Sequence, residues 1–518
     1  MPSWLKNAVF YEIYPQSFQD TNGDGIGDFQ GIINRLDYIK ELGCNAIWMN
    51  PCFESPFMDA GYDVADYYKA APRYGTNDDL KRLFEEVHQR GMHLILDLVP
   101  GHTSVESKWF KESMKAEKNE YTHRYIWSDN VWEGFEGVKN ISGCIRGISS
   151  RNGCCATNFF STQPALNYGF VNPQKSWQFS PESPEAMATR KAMKDVMEFW
   201  LQMGCDGFRV DMASSLVKGD EDGSANIALW QDIRAFLDEK YPEAAMVSEW
   251  GQPDQSLKGG FHMDFLLQFG PSGYTELFRT EHPYFSREGK GDVKAFADKY
   301  QEYYDATNQK GLICIPSGNH DTPRLGGLLD EEEIKNVFAF LLSMPGAPYI
   351  YYGDEIGMKY LPDLVSVEGG YDRTGSRSPM QWDNTVNAGF SAAPKEMLYI
   401  DLDPDENRPT VKKQMETEGS LWKEVQKLNA LRQAHPALQS EAALKFVYAK
   451  ENAYPFVYQR SCGEETILVI HNPSGQQASC EVKLDGWGEV IYANHGEAVY
   501  ENGVLTVPAA SATFVKIG

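Results

Sequence analysis

Residues 207–211 read Gly-Phe-Arg-Val-Asp, a short apolar run that closes on two charged side chains two positions apart. Seven other short apolar runs surround it in the chain: Val9–Tyr14, Ala46–Asn50, His93–Val99, Ala245–Glu249, Met263–Leu267, Leu312–Pro316 and Tyr349–Tyr352. Amphipathic helical patterns separate them, such as Asn77–Arg90 with Leu80, Leu83, Phe84 and Val87 on one face. Eight strand–helix units in succession predict an α/β chain closed into a (β/α)8 TIM barrel. A doubly wound open sheet would carry a glycine fingerprint for phosphate after its first strand, and none follows Val9–Tyr14.

Two stretches break the alternation. More than a hundred residues separate His102 from Gly207, where one crossover needs about 30. The segment 103–168, rich in Gly, Asn and Trp, reads as an inserted domain above the third strand, on the face where loops build active sites. After Leu438, runs such as Phe446–Tyr448, Pro455–Gln459, Thr466–Ile470 and Val504–Val507 predict a small all-β domain over 439–518. The barrel then takes 1–102 and 169–438.

Charge narrows the partners. Acidic residues outnumber basic ones 73 to 48, a formal charge of −25 that repels nucleic acid and anionic membranes. Neutral sugars are indifferent to that field, and 12 Trp and 27 Tyr offer rings to stack on them. No run approaches the about 18 apolar residues of a membrane span. The N-terminus MPSWLKNAVFYEIYP lacks a secretory pattern, and nine cysteines show no CxxC spacing. Together these predict reduced thiols in a cytoplasm.

The chemistry gathers at C-terminal strand ends. Arg209 and Asp211 point to the same side, and a guanidinium beside a carboxylate favours its ionised form, as a covalent nucleophile requires. Glu249 ends an apolar strand before Trp250; an apolar wall would raise its pKa, as a general acid needs. Asp321 adds a third carboxylate after the seventh strand, beside His320 as a hydroxyl donor. His102 follows the third strand, which also carries Asp97.

These segments resemble the signature regions of glycoside hydrolase family 13, the α-amylase family. DLVPGH at 97–102, GFRVDMASS at 207–215, Glu249 and NHD at 319–321 match its four regions in order. GDGIGDFQGI at 23–32, GYDVADY at 61–67, QPALN at 163–167 and YYGDEIGM at 351–358 add to the match. The resemblance implies a catalytic barrel, an inserted B domain and a C-terminal β-sandwich. It implies Asp211 as nucleophile, Glu249 as acid/base and Asp321 as transition-state stabiliser. It also implies that Arg209, His102 and His320 line the reacting subsite, that Tyr62 stacks on the sugar and that Asp97 supports it. Retention of configuration then expects carboxyl groups about 5–5.5 Å apart.

The run Arg373-Thr-Gly-Ser-Arg-Ser-Pro-Met-Gln-Trp382 is similar to a motif of the α-glucosidase and oligo-1,6-glucosidase branch. By that resemblance Arg373 and Asp59 grip the non-reducing end of the substrate. This implies an exo-acting α-glucosidase on small oligosaccharides, with a trehalose synthase-like transglycosylase or isomerase as the first alternative and a non-catalytic binding protein on the same fold as the second, which the intact Asp211, Glu249 and Asp321 disfavour. Asp20, Asn22, Asp24 and Asp28 alternate with glycines, and with the Ile26 carbonyl they form an all-oxygen set suited to structural Ca2+ or Mg2+. The loop resembles the calcium loop of the same branch. Three positions depart from the family. Gly101 stands where Asn usually binds a second calcium, and Ala165 where Asp is usual. Met212 follows the nucleophile where Val accompanies α-1,6 and Ala or Thr α-1,4 specificity.

Overall fold

The computed structural model describes residues 1–269, 272–307, 310–484 and 486–517. Its centre is an eight-stranded, all-parallel sheet. The strands are β1 (Phe10–Ile13), β2 (Ala46–Met49), β3 (His93–Leu98), β4 (Gly207–Val210), β5 (Ala245–Ser248), β6 (Met263–Phe265), β7 (Leu312–Cys314) and β8 (Tyr349–Tyr351). Neighbours follow sequence order from β1 to β7, and β8 pairs with β1. The remaining seam is closed by a bridge between Pro316 and Tyr349, with Ser317 N donating to Tyr349 O at 2.9 Å. All eight predicted strands form, each ending one or two residues early, because the chemistry-bearing residues sit just past the last ladder bond.

The crossing helices carry the signals their sequences promise. Asn77–Gln89 starts on a Thr76–Asp79 capping box and buries Leu80, Leu83, Phe84 and Val87. Pro184–Met203 starts with Ser183 accepting from Ala186 N and stops at Gly204, whose φ of 117° is left-handed. Among the described residues no helix is long and apolar enough to cross a membrane.

Between β3 and Pro184 the chain makes a short helix, Lys108–Ser113, and a hairpin of Gly143–Ile145 against Cys155–Thr157. This segment has its own small core of Ile126, Phe135, Cys154, Ala156 and Ala165. Phe170 and Trp177 join that core, so its packing continues past residue 168.

At the C-terminus, two antiparallel sheets pack face to face. One holds β9 (Ala443–Tyr448), β10 (Phe456–Cys462), β11 (Glu465–Asn472), β16 (Ser511–Lys516) and β13 (Glu489–Asn494), in that order. The other holds β12 (Ala478–Glu481), β15 (Val504–Val507) and β14 (Val499–Glu501). Val457, Leu468, Ile470, Leu505, Val507 and Val515 fill the space between.

Candidate active site

Alternation along the strands builds the site. Phe10, Trp48, Ile95 and Val247 fill the barrel interior. Two residues further along each chain, on the same side, come Glu12, Asn50, Asp97 and Glu249. Polar groups therefore emerge one layer above an apolar plug. The register sets Asp97 level with Arg209.

Arg209 is the hub. Its Nη1 donates to Asp97 Oδ1 at 2.9 Å and to Asp211 Oδ1 at 3.1 Å, and its Nη2 lies 2.8 Å from Glu249 Oε1. Glu249 Oε2 accepts from Met212 N at 3.0 Å. This arrangement alters two expectations. Burial pushes the Asp211 carboxyl well above the usual range, Glu249 adds to the push, and Arg209 only opposes it. Three carboxyls share one guanidinium, so the pull of Arg209 on Asp211 is divided and does not offset burial. Glu249, in turn, meets a guanidinium and a backbone N–H instead of an apolar wall.

Asp97 backs the cavity. Its Oδ2 accepts from Tyr62 OH at 3.0 Å and Trp48 Nε1 at 3.1 Å. Burial raises it to about 6 against Arg209. Tyr62 lies flat against His320, with ring centroids 5.3 Å apart and 12° between planes. His102 is buried, which lowers it to about 3 and keeps it neutral. Its Nε2 sits 3.1 Å from Tyr62 O, and its Nδ1 3.2 Å from Asn158 Nδ2.

Asp321 stands apart electrostatically. Burial would raise it, but His320, Arg377 and Arg373 outweigh burial and hold the carboxyl well below the usual range. His320 is itself neutral, because burial lowers it to about 3. At neutral pH the two arginines do the holding: Arg377 Nη2 lies 2.8 Å and Arg373 Nη1 3.1 Å from Asp321 Oδ1. The other nitrogen of Arg373, Nη2, is 3.4 Å from Asp59 Oδ1, and Gln163 Nε2 donates to Asp59 Oδ2 at 2.8 Å. Burial raises Asp59 to about 6 against both partners.

These groups enclose a cavity of about 410 Å³ lined by Asp59, Tyr62, His102, Asp211, Glu249, Asp321 and Arg373, with Met212, Trp250, Phe159 and Phe269 among the outer residues. That volume suits a small ligand. Asp97, Arg209 and His320 are not on its wall; they hold the residues that are.

Residues 12–441 match the family model of the α-amylase catalytic domain. The chain belongs to the α-amylase family. This α-amylase-family chain is a glycoside hydrolase by type. It is 31% identical to the trehalose synthase/amylase of Mycobacterium tuberculosis, an alignment covering 98% of this chain and 89% of the relative. It is also 31% identical to the oligo-1,6-glucosidase of Parageobacillus thermoglucosidasius, covering 90% of each. The crystal structure of the trehalulose synthase MutB from Pseudomonas mesoacidophila MX-45 superposes with a TM-score of 0.84 at 25% identity over 100% of both chains.

Gly101, the family's departure, has a local explanation. A Cβ there would lie 2.6 Å from Asn158 Nδ2. That amide is held in place by Lys218, whose buried Nζ donates to Asn158 Oδ1 at 2.8 Å, Asn140 O at 2.8 Å and Ser215 O at 2.7 Å. An ammonium thus ties the inserted segment to the barrel beside the cavity. Burial lowers it to about 7.

No residue of the Asp20–Asp28 loop lines the cavity. Asp20 Oδ1 accepts from Asn22 N and Gly23 N, Asp24 Oδ1 from Ile26 N, and Asp28 Oδ1 from Gly31 N. Gly25, at φ 86°, packs so tightly under Met397 O that a Cβ would lie 2.1 Å from it. The donor set is all oxygen, the right chemistry for a hard cation. Among the described residues no three His, Cys, Asp or Glu side chains converge as a ready-made metal centre.

Sequence reading missed several of these residues. Arg377 lies inside a quoted motif, and its Asp321 contact could have been suspected from that. Gln163 was likewise in view within QPALN. Lys218, Asn158 and Phe269 carry no local signal, since only the folded chain brings them to the cavity.

Proposed function

We propose that this enzyme is a retaining, exo-acting α-glucosidase that releases glucose from short α-glucosides. The observation that carries the reading is Arg373 bridging Asp59 and Asp321 across the cavity. A terminal sugar hydroxyl can meet a guanidinium donor and a carboxylate acceptor there, whereas an internal sugar would bring its neighbour into the clamp.

In this reading Glu249 gives its proton to the glycosidic oxygen as Asp211 attacks the anomeric carbon. The bond to the leaving sugar breaks, and a covalent glucosyl-Asp211 ester forms. Glu249, now a carboxylate, takes a proton from water, which attacks the same carbon and frees Asp211. The reactive state has a proton on Glu249 and none on Asp211; Arg209 touches both and steadies the charge in either state. Asp321, kept ionised by two arginines, faces the positive charge that develops on the sugar ring. We also propose that the Asp20–Asp28 loop holds one structural Ca2+ or Mg2+.

A second reading is transfer to a sugar acceptor, favoured by the identity to a trehalose synthase over 98% of this chain. Incubation with maltose, isomaltose, sucrose, trehalose and a long maltodextrin separates the two. Glucose released from the first minutes supports hydrolysis. Conversion of a disaccharide to its isomer with little free glucose supports transfer. Mixed maltooligosaccharides without glucose would overturn the exo-acting reading.

A further inference from the structure

Beneath the cavity, polar side chains meet around one ring nitrogen of His320. Glu12 Oε1 lies 3.0 Å from His320 Nδ1, and Asn50 Nδ2 lies 3.1 Å from that nitrogen and 3.2 Å from Glu12 Oε1. Glu12, at the end of β1, is fully buried, and among the described residues no donor reaches its second oxygen, Oε2. Nothing in the mechanism above uses it.

Counting protons around the ring fixes its form. His320 is neutral, so one nitrogen carries the single proton. Asp97 is ion-paired with Arg209, and Tyr62 OH lies 3.0 Å from Asp97 Oδ2, so the phenol donates to that carboxylate. The Tyr62 oxygen then accepts from His320 Nε2–H, 2.8 Å away. Nδ1 is left bare, with one lone pair for which the nearer Glu12 Oε1 and Asn50 Nδ2 compete. Asn50 offers an N–H. Glu12 Oε1 attracts Nδ1 only when it carries a proton. An ionised Glu12 would instead leave Oε2 as a charged oxygen buried without a donor; burial opposes that charge most, Asp97 and Asp321 repel it, and the Asn50 hydrogen bond and Arg209, which favour it, do not outweigh them.

We propose that Glu12 is a positioning residue, a neutral carboxylic acid that donates to His320 Nδ1 and fixes His320 as the tautomer that donates from Nε2. The bond made by one ring nitrogen selects which proton the other presents. Here Nε2 lies 2.8 Å from the hydroxyl of Tyr62, which lines the cavity, and 3.5 Å from Asp321 Oδ2, so the ring behind the cavity wall presents Tyr62 with a donor instead of a lone pair. Only the kinetic consequence rests on reading the cavity as a glucosyl site.

The test is nitrogen-15 NMR of histidine-labelled enzyme at neutral pH, with His320 identified by the signals lost in His320→Gln. The expected result is an N–H-type Nε2 and a bare Nδ1. Glu12→Gln, whose amide can donate in the same place, keeps that tautomer. Glu12→Met, without a donor, populates the other. For any glucoside the enzyme cleaves, Glu12→Met lowers kcat about tenfold, and Glu12→Gln stays within about threefold of wild type. An Nδ1–H or doubly protonated His320 in the wild type overturns the proposal, as does an equal kcat loss in both variants. If Glu12→Met fails to fold, the wild-type spectrum still decides. If no glucoside is cleaved, the functional reading fails while the NMR result stands by itself.

Discussion

Arg373 Nη1 lies 3.1 Å from Asp321 Oδ1, so the residue proposed as the clamp also touches one of the cavity's carboxylates. A clamp that only bound substrate would affect KM alone. This one should affect both constants. Arg373→Ala should lower kcat/KM by about 10²-fold or more, with loss in kcat as well as rise in KM, because Asp59 and Asp321 lose a shared partner. Steady-state kinetics on a disaccharide checks this, and an unchanged kcat would confine Arg373 to binding.

Asp211→Asn should lower turnover by about 10³-fold or more while the fold stays intact. Burial and Glu249 raise the folded pKa of Asp211. A raised carboxyl loses its contribution to stability as pH climbs through the folded pKa. The amide escapes that loss, so at neutral pH its melting temperature should equal or exceed the wild type's. Residual activity of more than a few per cent would remove Asp211 from the nucleophile's role.

Asp264 offers a cleaner pH test, away from the reacting atoms. It is buried in β6 and accepts from Ser248 Oγ at 2.7 Å and Trp250 N at 3.2 Å. Burial raises it to about 7, against those hydrogen bonds. The folded state therefore holds a proton that the unfolded chain releases near pH 4, and stability drains away between about pH 4 and pH 7. Asp264→Asn keeps the acceptor oxygen and cannot ionise. Denaturant melts across that window should show the variant gaining on the wild type as pH rises; parallel curves would mean Asp264 is ionised throughout.

A cation in the Asp20–Asp28 loop should stabilise without catalysing. Removal with a chelator should release about one Ca2+ or Mg2+ per chain and lower the melting temperature, leaving kcat at moderate temperature nearly unchanged. Metal analysis together with calorimetry would show it. Chelation that altered neither metal content nor melting would refute the loop as a cation site.

The fold was legible because its signals are local: every barrel strand is an apolar run, and helices such as Asn77–Gln89 carry an apolar stripe. The convergence of Asp211 and Glu249 was legible because strand parity sends Arg209 with Asp211, and Val247 with Glu249, to one side. Their protonation was not, since it depends on three chains of neighbours converging on one guanidinium. The extent of the inserted core was not either, because Phe170 and Trp177 join it across a turn that no periodicity marks. Glu12 escaped notice as one polar residue in a strand that otherwise reads as plain core.

Lys218 has a consequence for how the protein survives in its surroundings. A diffusible ion at the junction between the barrel and the inserted segment would be lost whenever its free concentration fell below its dissociation constant. A side-chain ammonium cannot be diluted, chelated or exchanged for a competing ion. The tie beside the wall that contains His102 is therefore supplied by the chain itself, and because burial lowers Lys218 to about 7 it is the pH of the medium that sets its charge.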